Sequence, residues 1–218
     1  MKITALEPQK NNPERLNLHV DGEFRCGIAL EIVMGAGLRV GDEITPERLA
    51  ELERQDVRWK AREVALGLLA YRPRTAEELR RRLARKDFPD DVVQATVDDL
   101  AERGFVDDAE FAAMFVRDRV RSKPRGKRRL VQELRARGVA AATAARAVDR
   151  TLEEEERSEA DLALEAAQAW ARRNLTSHRQ TDGVELVLKR RLYGYLARRG
   201  FDSDAIRGAM ARILGGND

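Results

Sequence analysis

Hydrophobic spacing along this chain changes once, near residue 56. In the first stretch Leu16, Leu18 and Val20 alternate with polar residues, Asp21-Gly22 follows as a two-residue hairpin turn, and Phe24 and Cys26 resume the alternation. That is the period of a strand with one buried face. Ile3 and Ala5, with Glu7, supply a third strand, so residues 1–45 read as β-rich. Thr45 before Pro46 marks a helix start, with the cap residue preceding proline at the first helical position. The predicted helix covers residues 46–55 and keeps Leu49 and Leu52 on one face. From about residue 57 onward only helical periodicity remains, opening with Ala61, Val64, Ala65, Leu68 and Leu69.

The stretch 71–108 shows how these helices are punctuated. Thr75 and Glu78 have the spacing of a capping box, in which the hydroxyl takes an orphan amide and the carboxylate reaches back. Leu79 and Leu83 then lie four apart on one helix face. Pro89-Asp90 stops the chain and restarts it, with Asp90 placed to accept a free amide. The next helix carries Val93, Val97 and Leu100 inward and ends at Gly104, the residue type that best tolerates a left-handed cap. Asp107 with Glu110 opens the following helix.

Variants of this unit return twice. Leu79, Leu83 and Asp87-Phe88 match Leu130, Leu134 and Gly138-Val139, and both match Leu192, Leu196 and Gly200-Phe201. Beyond those points Val93, Val97 and Leu100 correspond to Ala144, Val148 and Thr151, then to Ile206, Met210 and Ile213. A Pro/Gly breaker at 122–126 separates the helices of the second copy, and a polar loop at about 174–182 lengthens the third. The expected fold is mainly α: tandem repeats of a three-helix unit forming an elongated, curved body, with a small N-terminal β-hairpin region. The expected parts are 1–56 (β-rich region and short helix), 57–106, 107–152 and 153–218 (three repeats).

Composition agrees with several thin cores, since charged residues make up 36% of the 218 and aromatics only 5%. No apolar run is long enough for a membrane helix, and the N-terminus lacks a secretory core. Cys26 is the single cysteine, so no intramolecular disulfide forms, as suits a reducing cytoplasm. Charge is unevenly placed. Residues 1–56 carry 7 basic against 11 acidic side chains, residues 57–150 carry 23 against 15, and residues 151–218 carry 11 against 12. The middle therefore has a positive field that reaches polyanions over about a Debye length, roughly 8–10 Å at physiological salt.

Catalysis finds little support. His19 and His178 are far apart, Cys26 has no partner cysteine, and no phosphate-binding loop, serine-nucleophile or zinc-protease motif is present. Gly35, Gly37 and Gly41 have the wrong spacing for a nucleotide loop and read as turns. No cofactor or metal is expected.

Val20-Asp21-Gly22-Glu23-Phe24, Leu38-Arg39-Val40-Gly41-Asp42, Tyr71-Arg72-Pro73-Arg74-Thr75 with Glu78-Leu79, Gly104-Phe105-Val106-Asp107-Asp108 with Phe111-Ala112, Lys123-Pro124-Arg125-Gly126, and Arg129-Leu130 with Glu133-Leu134 follow one another along the chain. On these motifs the chain resembles the RecX family of recombination regulators. Each motif is short, and their order and spacing together give specificity. The resemblance implies a small cytoplasmic protein that binds the filament of a RecA-type recombinase on DNA and limits its ATP hydrolysis, growth and strand exchange.

Basic clusters are the candidate contacts for such a partner. In the first repeat these are Arg72, Arg74, Arg81, Arg82 and Arg85. In the second they are Arg117, Arg121, Lys123, Arg125, Lys127, Arg128 and Arg129. Between Arg117 and Arg137 ten basic residues face only Asp118 and Glu133 in local sequence. The plain alternative is a solvated helix face, where an exposed ion pair contributes about 0–1 kcal/mol. Phe88 and Phe105 each sit beside a helix stop and are expected in the core, with Tyr71 flanked by arginines less settled. The acidic run at 153–156 reads as a helix start. Two function classes follow: a monomeric, non-enzymatic regulator lying on a recombinase–DNA filament, and a direct DNA-binding protein similar to helix-turn-helix readers. Few Asn or Gln residues accompany the arginines, so contact with single- or double-stranded DNA is expected to show no strong sequence preference.

Overall fold

The computed structural model describes residues 1–175 and 184–214. The chain forms two compact units. One comprises Met1–Arg72 with Leu79–Phe105, the other Pro73–Glu78 with Val106–Asp218.

In the first unit β1 (Ile3–Gln9), β2 (Asn12–Val20) and β3 (Glu23–Ala29) form an antiparallel meander with β2 in the centre. Asp21 and Gly22 both adopt positive φ, 51° and 85°, as a tight turn matched to strand twist requires. Leu16, Leu18 and Val20 point inward and pack with Ile3, Ile28, Val33, Ile44, Leu49 and Leu52. One predicted inward residue is displaced. β3 pairs Leu18 with Cys26 but His19 with Phe24, so an extra residue in β3 reverses the side-chain alternation there. Phe24 is exposed and meets His19 edge-on at 5.8 Å.

Residues 30–35 are helical (α1, Leu30–Gly35), where the sequence reading had β structure. The helix predicted to stop at residue 55 instead runs unbroken as α2 (Pro46–Tyr71). Its continuity has a physical cause at Asp56, which is buried and tied on several sides. Asp56 accepts the Ala29 amide at 2.9 Å and Arg15 Nη2 at 2.9 Å, and pairs with Lys60 Nζ at 2.8 Å. A charge at an apparent boundary is thus the polar lock between sheet and helix. Arg15 also donates to Gly27 O at 2.7 Å and lies over the Trp59 ring.

The remaining helices are α3 (Ala76–Ala84), α4 (Asp90–Glu102), α5 (Asp108–Ser122), α6 (Lys127–Ala136), α7 (Ala141–Glu154), α8 (Glu159–Asn174), α9 (Val184–Arg198) and α10 (Ser203–Leu214). Thr75 accepts the Glu78 amide at 3.1 Å, and its hydroxyl donates to Arg137 O at 2.6 Å. Asp107 caps α5 by accepting from Ala109 and Glu110. Asp90 does not cap α4, because the cap position falls on Pro89 and Asp90 is already the first helical residue. The 153–156 run is likewise displaced, ending α7 rather than starting α8, whose cap is Ser158. The predicted polar loop and His178 lie mostly outside the described residues.

All three leucine pairs are buried: Leu79, Leu83, Leu130, Leu134, Leu192 and Leu196 are at most 1% exposed. Four residues after each second leucine the backbone turns left-handed, with φ of 60° at Asp87, 92° at Gly138 and 80° at Gly200. The chain is therefore mainly helical, with repeated three-helix units and a small N-terminal sheet.

Leu83→Ala and Leu134→Ala are each expected to destabilise the protein by about 2–4 kcal/mol, as buried large-to-small changes do. Urea melts followed by circular dichroism check this. A loss under about 0.5 kcal/mol for either would remove that leucine from its assigned place.

Candidate functional site

The basic faces of the two middle helical units differ in how their charge is used. In the first unit Arg82 and Arg85 are exposed on and just beyond α3 and make no ion pair among the described residues. Arg72, at the C-terminal cap of α2, and Arg81 are exposed as well. Arg74 is only 7% exposed, so it has little surface to offer a partner.

In the second unit most candidate cations already have acids, drawn from far along the chain. Arg117 reaches Glu154 at 3.0 Å, Arg121 reaches Glu155 at 2.9 Å, and Lys127 reaches Asp149 at 2.6 Å. Arg119, Arg125 and Arg129 converge on the poorly exposed Glu133 at 3.6, 3.2 and 2.9 Å. Hydrogen bonds from Arg150 and Arg117 hold the Glu154 carboxyl below the usual carboxylate range. These acids answer a second problem. Glu153 and Glu154 sit in the last turn of α7, where the helix dipole disfavours negative charge, and the arginines offset it. Lys123, Arg128 and Arg135 remain exposed with no ion pair among the described residues. Local sequence showed only Asp118 and Glu133 as opposing charges because the other partners lie 22 to 37 residues away.

The segment 123–126 has a structural duty besides its charge. Gly126 is buried; its amide donates to Arg199 O at 3.0 Å, and Arg199 Nη1 donates to Pro124 O at 2.9 Å. A Cβ at Gly126 would fall 2.2 Å from Gly200 O, so only glycine fits this backbone-to-backbone approach. The loop joins α6 to the α9–α10 turn, and that joint aims the first turn of α6 outward.

That first turn reads Lys127-Arg128-Arg129, three cations at the positive end of a helix with no side-chain cap. Glu159 of α8 supplies the missing acceptor. Its Oε1 receives the Lys127 amide and the Asp202 amide, both at 3.2 Å. Burial pushes the Glu159 carboxyl up from its ordinary value, and nearby Asp202 adds to the effect. Among the aromatics, Tyr71 is exposed and Phe88 half-buried. Phe105 is 57% exposed, against the expected core role, and Val106 takes the inward place. Burial followed by the Glu53 and Asp56 charges raises the Cys26 thiol pKa, which disfavours the reactive thiolate.

Comparison with known proteins decides the lineage. Family models match in order along the chain: the Regulatory protein RecX N-terminal domain over residues 1–45, then the first, second and third RecX three-helix domains over 61–100, 107–148 and 161–210. The chain belongs to the RecX family. Regulatory protein RecX of Clostridium botulinum (strain Eklund 17B / Type B) is 29% identical over 215 residues, covering 98% of this chain and 96% of the relative. That of Halalkalibacterium halodurans is also 29% identical over 215 residues, covering 97% and 77%. The fold is shared with a crystal structure of regulatory protein RecX, with a TM-score of 0.76 at 23% identity over 99% of this chain and 100% of the other. RecX from Lactobacillus salivarius matches with a TM-score of 0.60 at 20% identity, over 73% and 97%. Relatives described as regulatory support a regulatory role for this RecX-family chain. No helix among the described residues is long and apolar enough to cross a membrane.

Glu159→Gln keeps an acceptor for both amides and removes a partly buried charge. The folded pKa lies above the unfolded one, so the stability contributed by Glu159 falls as pH rises between them. The variant should therefore equal or exceed the parent in stability at pH 7. Its advantage should vanish below about pH 4, where the unfolded carboxyl, of pKa about 4.3, is also protonated. Thermal melts across pH check this, and a loss above about 1 kcal/mol at pH 7 would contradict it.

Proposed function

We propose that this protein is a non-enzymatic regulator that binds the filament of a RecA-type recombinase on DNA and restrains its ATP hydrolysis, growth and strand exchange. Family membership along nearly the whole chain carries the reading, since it is what the resemblance to recombination regulators implies. The charge pattern supports the partner class. Arg82, Arg85, Lys123 and Arg128 are exposed cations that make no ion pair among the described residues, suited to phosphate or to acidic protein surface. Arg72 and Arg81 add exposed positive charge, while Arg117, Arg121, Arg125, Lys127 and Arg129 contribute to the field from within ion pairs. Repeated short helices provide several such faces on one chain. Held against neighbouring protomers, the protein hinders the movements that hydrolysis and strand exchange require. It acts as a monomer in the cytoplasm, where the filament is assembled.

A second reading, direct DNA binding through the arginine-bearing second helices without the recombinase, makes a different prediction. Binding is to be measured on recombinase–DNA filament, on recombinase alone and on DNA alone, with ATP hydrolysis followed in parallel. Tightest binding to the filament, slower hydrolysis and indifference to DNA sequence are expected. Equal affinity for bare DNA, selection of a particular sequence and unchanged hydrolysis would overturn the proposal in favour of the second reading.

A further inference from the structure

Nothing in the charge count singles out the third three-helix unit, because residues 151–218 carry 11 basic and 12 acidic side chains. The structure separates those charges. Glu154 and Glu155 serve Arg117, Arg121 and Arg150, Glu165 pairs with Arg157, Asp204 with Arg207, and Glu159 receives the α6 and Asp202 amides. Helix α9 keeps the opposite sign, with Lys189, Arg190, Arg191 and Arg198 along its length.

We propose that Arg190, Arg191 and Arg198, lining a shallow pocket between α8 and α9, form a further anion-binding face whose ligand is the phosphate backbone of a nucleic acid. The pocket measures about 570 Å³, and Trp170, Asn174 and Tyr195 help to line it. No carboxylate lines it among the described residues, whereas the grooves beside α6 and α7 include Asp149 with Glu159 or Glu153. Arg190, Arg191 and Arg198 are exposed and make no ion pair among the described residues. Spacings of four and three residues place Arg191, Tyr195 and Arg198 on one stripe of α9, with Arg190 alongside.

The wall behind these guanidiniums is already ordered. Arg173 donates to Ala169 O at 2.9 Å and to the Tyr195 hydroxyl at 3.4 Å, Arg199 lies 4.6 Å from the Tyr195 ring centroid, and Asn174 donates to Trp170 O at 2.8 Å. With Tyr195 covered by Arg199 and Trp170 only 6% exposed, the pocket offers no free ring for base stacking. Recognition is therefore of phosphate and independent of sequence. Three arginines lining one pocket match the dense, regularly repeated phosphate charge of a nucleic-acid backbone. Arginine forks suit phosphate oxygens in two-point contacts. The site deepens the DNA half of the proposed function and extends it beyond the central cations.

The test uses the full chain carrying R190A, R191A and R198A together, with fluorescence anisotropy on mixed-sequence single-stranded and duplex oligonucleotides across a salt series. These side chains are exposed and make no ion pair among the described residues, so the variant should melt like the parent. The slope of log affinity against log salt should shrink by roughly 0.7 per lost contact on a single strand and 0.9 on duplex. The triple lysine variant, R190K with R191K and R198K, should keep most of the slope. A control, K10A with R25A and R39A, removes the same formal charge from exposed positions of the N-terminal region. An unchanged slope, or an equal fall in the control, overturns the site. So does loss of polyglutamate binding with DNA binding intact, which would assign the face to acidic protein. No recombinase is present, so failure here is distinguishable from failure of the filament reading.

Discussion

Each helical repeat depends on one local constraint: two buried leucines four residues apart, followed four residues later by a backbone turn that ordinary side chains resist. Helices as short as α3 and α6, with 9 and 10 residues, are too brief to persist alone. Leu79 with Leu83 and Leu130 with Leu134 secure them by burial, and the left-handed residue then ends the helix and turns the chain toward its next element. Glycine meets the requirement at 138 and 200. At 87 the residue is Asp, which occupies φ 60° at a penalty of about 1 kcal/mol or more relative to glycine. Gly138 and Gly200 are further bound by crowding, since a Cβ on either would collide with Glu77 or Arg129. The same glycine thus ends a helix and permits close approach by a neighbour.

What the sequence made legible was whatever is written within a few residues. The leucine register, the Asp21-Gly22 turn, the Thr45, Thr75 and Asp107 caps and the three-fold repeat are all local patterns, and all appear in the structure. Interactions between distant segments were less visible. The helix expected to end at residue 55 continues through Asp56, a buried acceptor that ties α2 to the sheet. The acidic residues at 153–156 looked like a helix start, but their function is to meet Arg117 and Arg121 across the fold. Phe24 left the core because a single bulge reverses strand alternation. In each case a tertiary partner or register shift outweighed a correct local preference.

The charges divide in the same manner. A run of basic residues is a weak guide to a binding face, because distant acids can engage it. The RecX-family fold here holds several of its central cations in internal pairs and leaves others, such as Arg82, Arg128 and Arg191, exposed with no ion pair among the described residues. Three cations in the first turn of α6, against the helix dipole and braced by Glu159 from α8, break a local rule at the place where a functional surface is proposed.

The division into engaged and bare cations is the central claim, and two sets of neutralisations test it most directly. One changes Arg82, Arg85, Lys123 and Arg128 to Gln, the other Arg117, Arg121, Arg125 and Lys127 to Gln. Salt-dependent DNA binding and urea stability are to be measured for both. The first set should lose DNA affinity and salt slope while keeping its stability, and the second should lose stability with the slope nearer the parent's. Equal slopes and equal stabilities in the two sets would contradict the account.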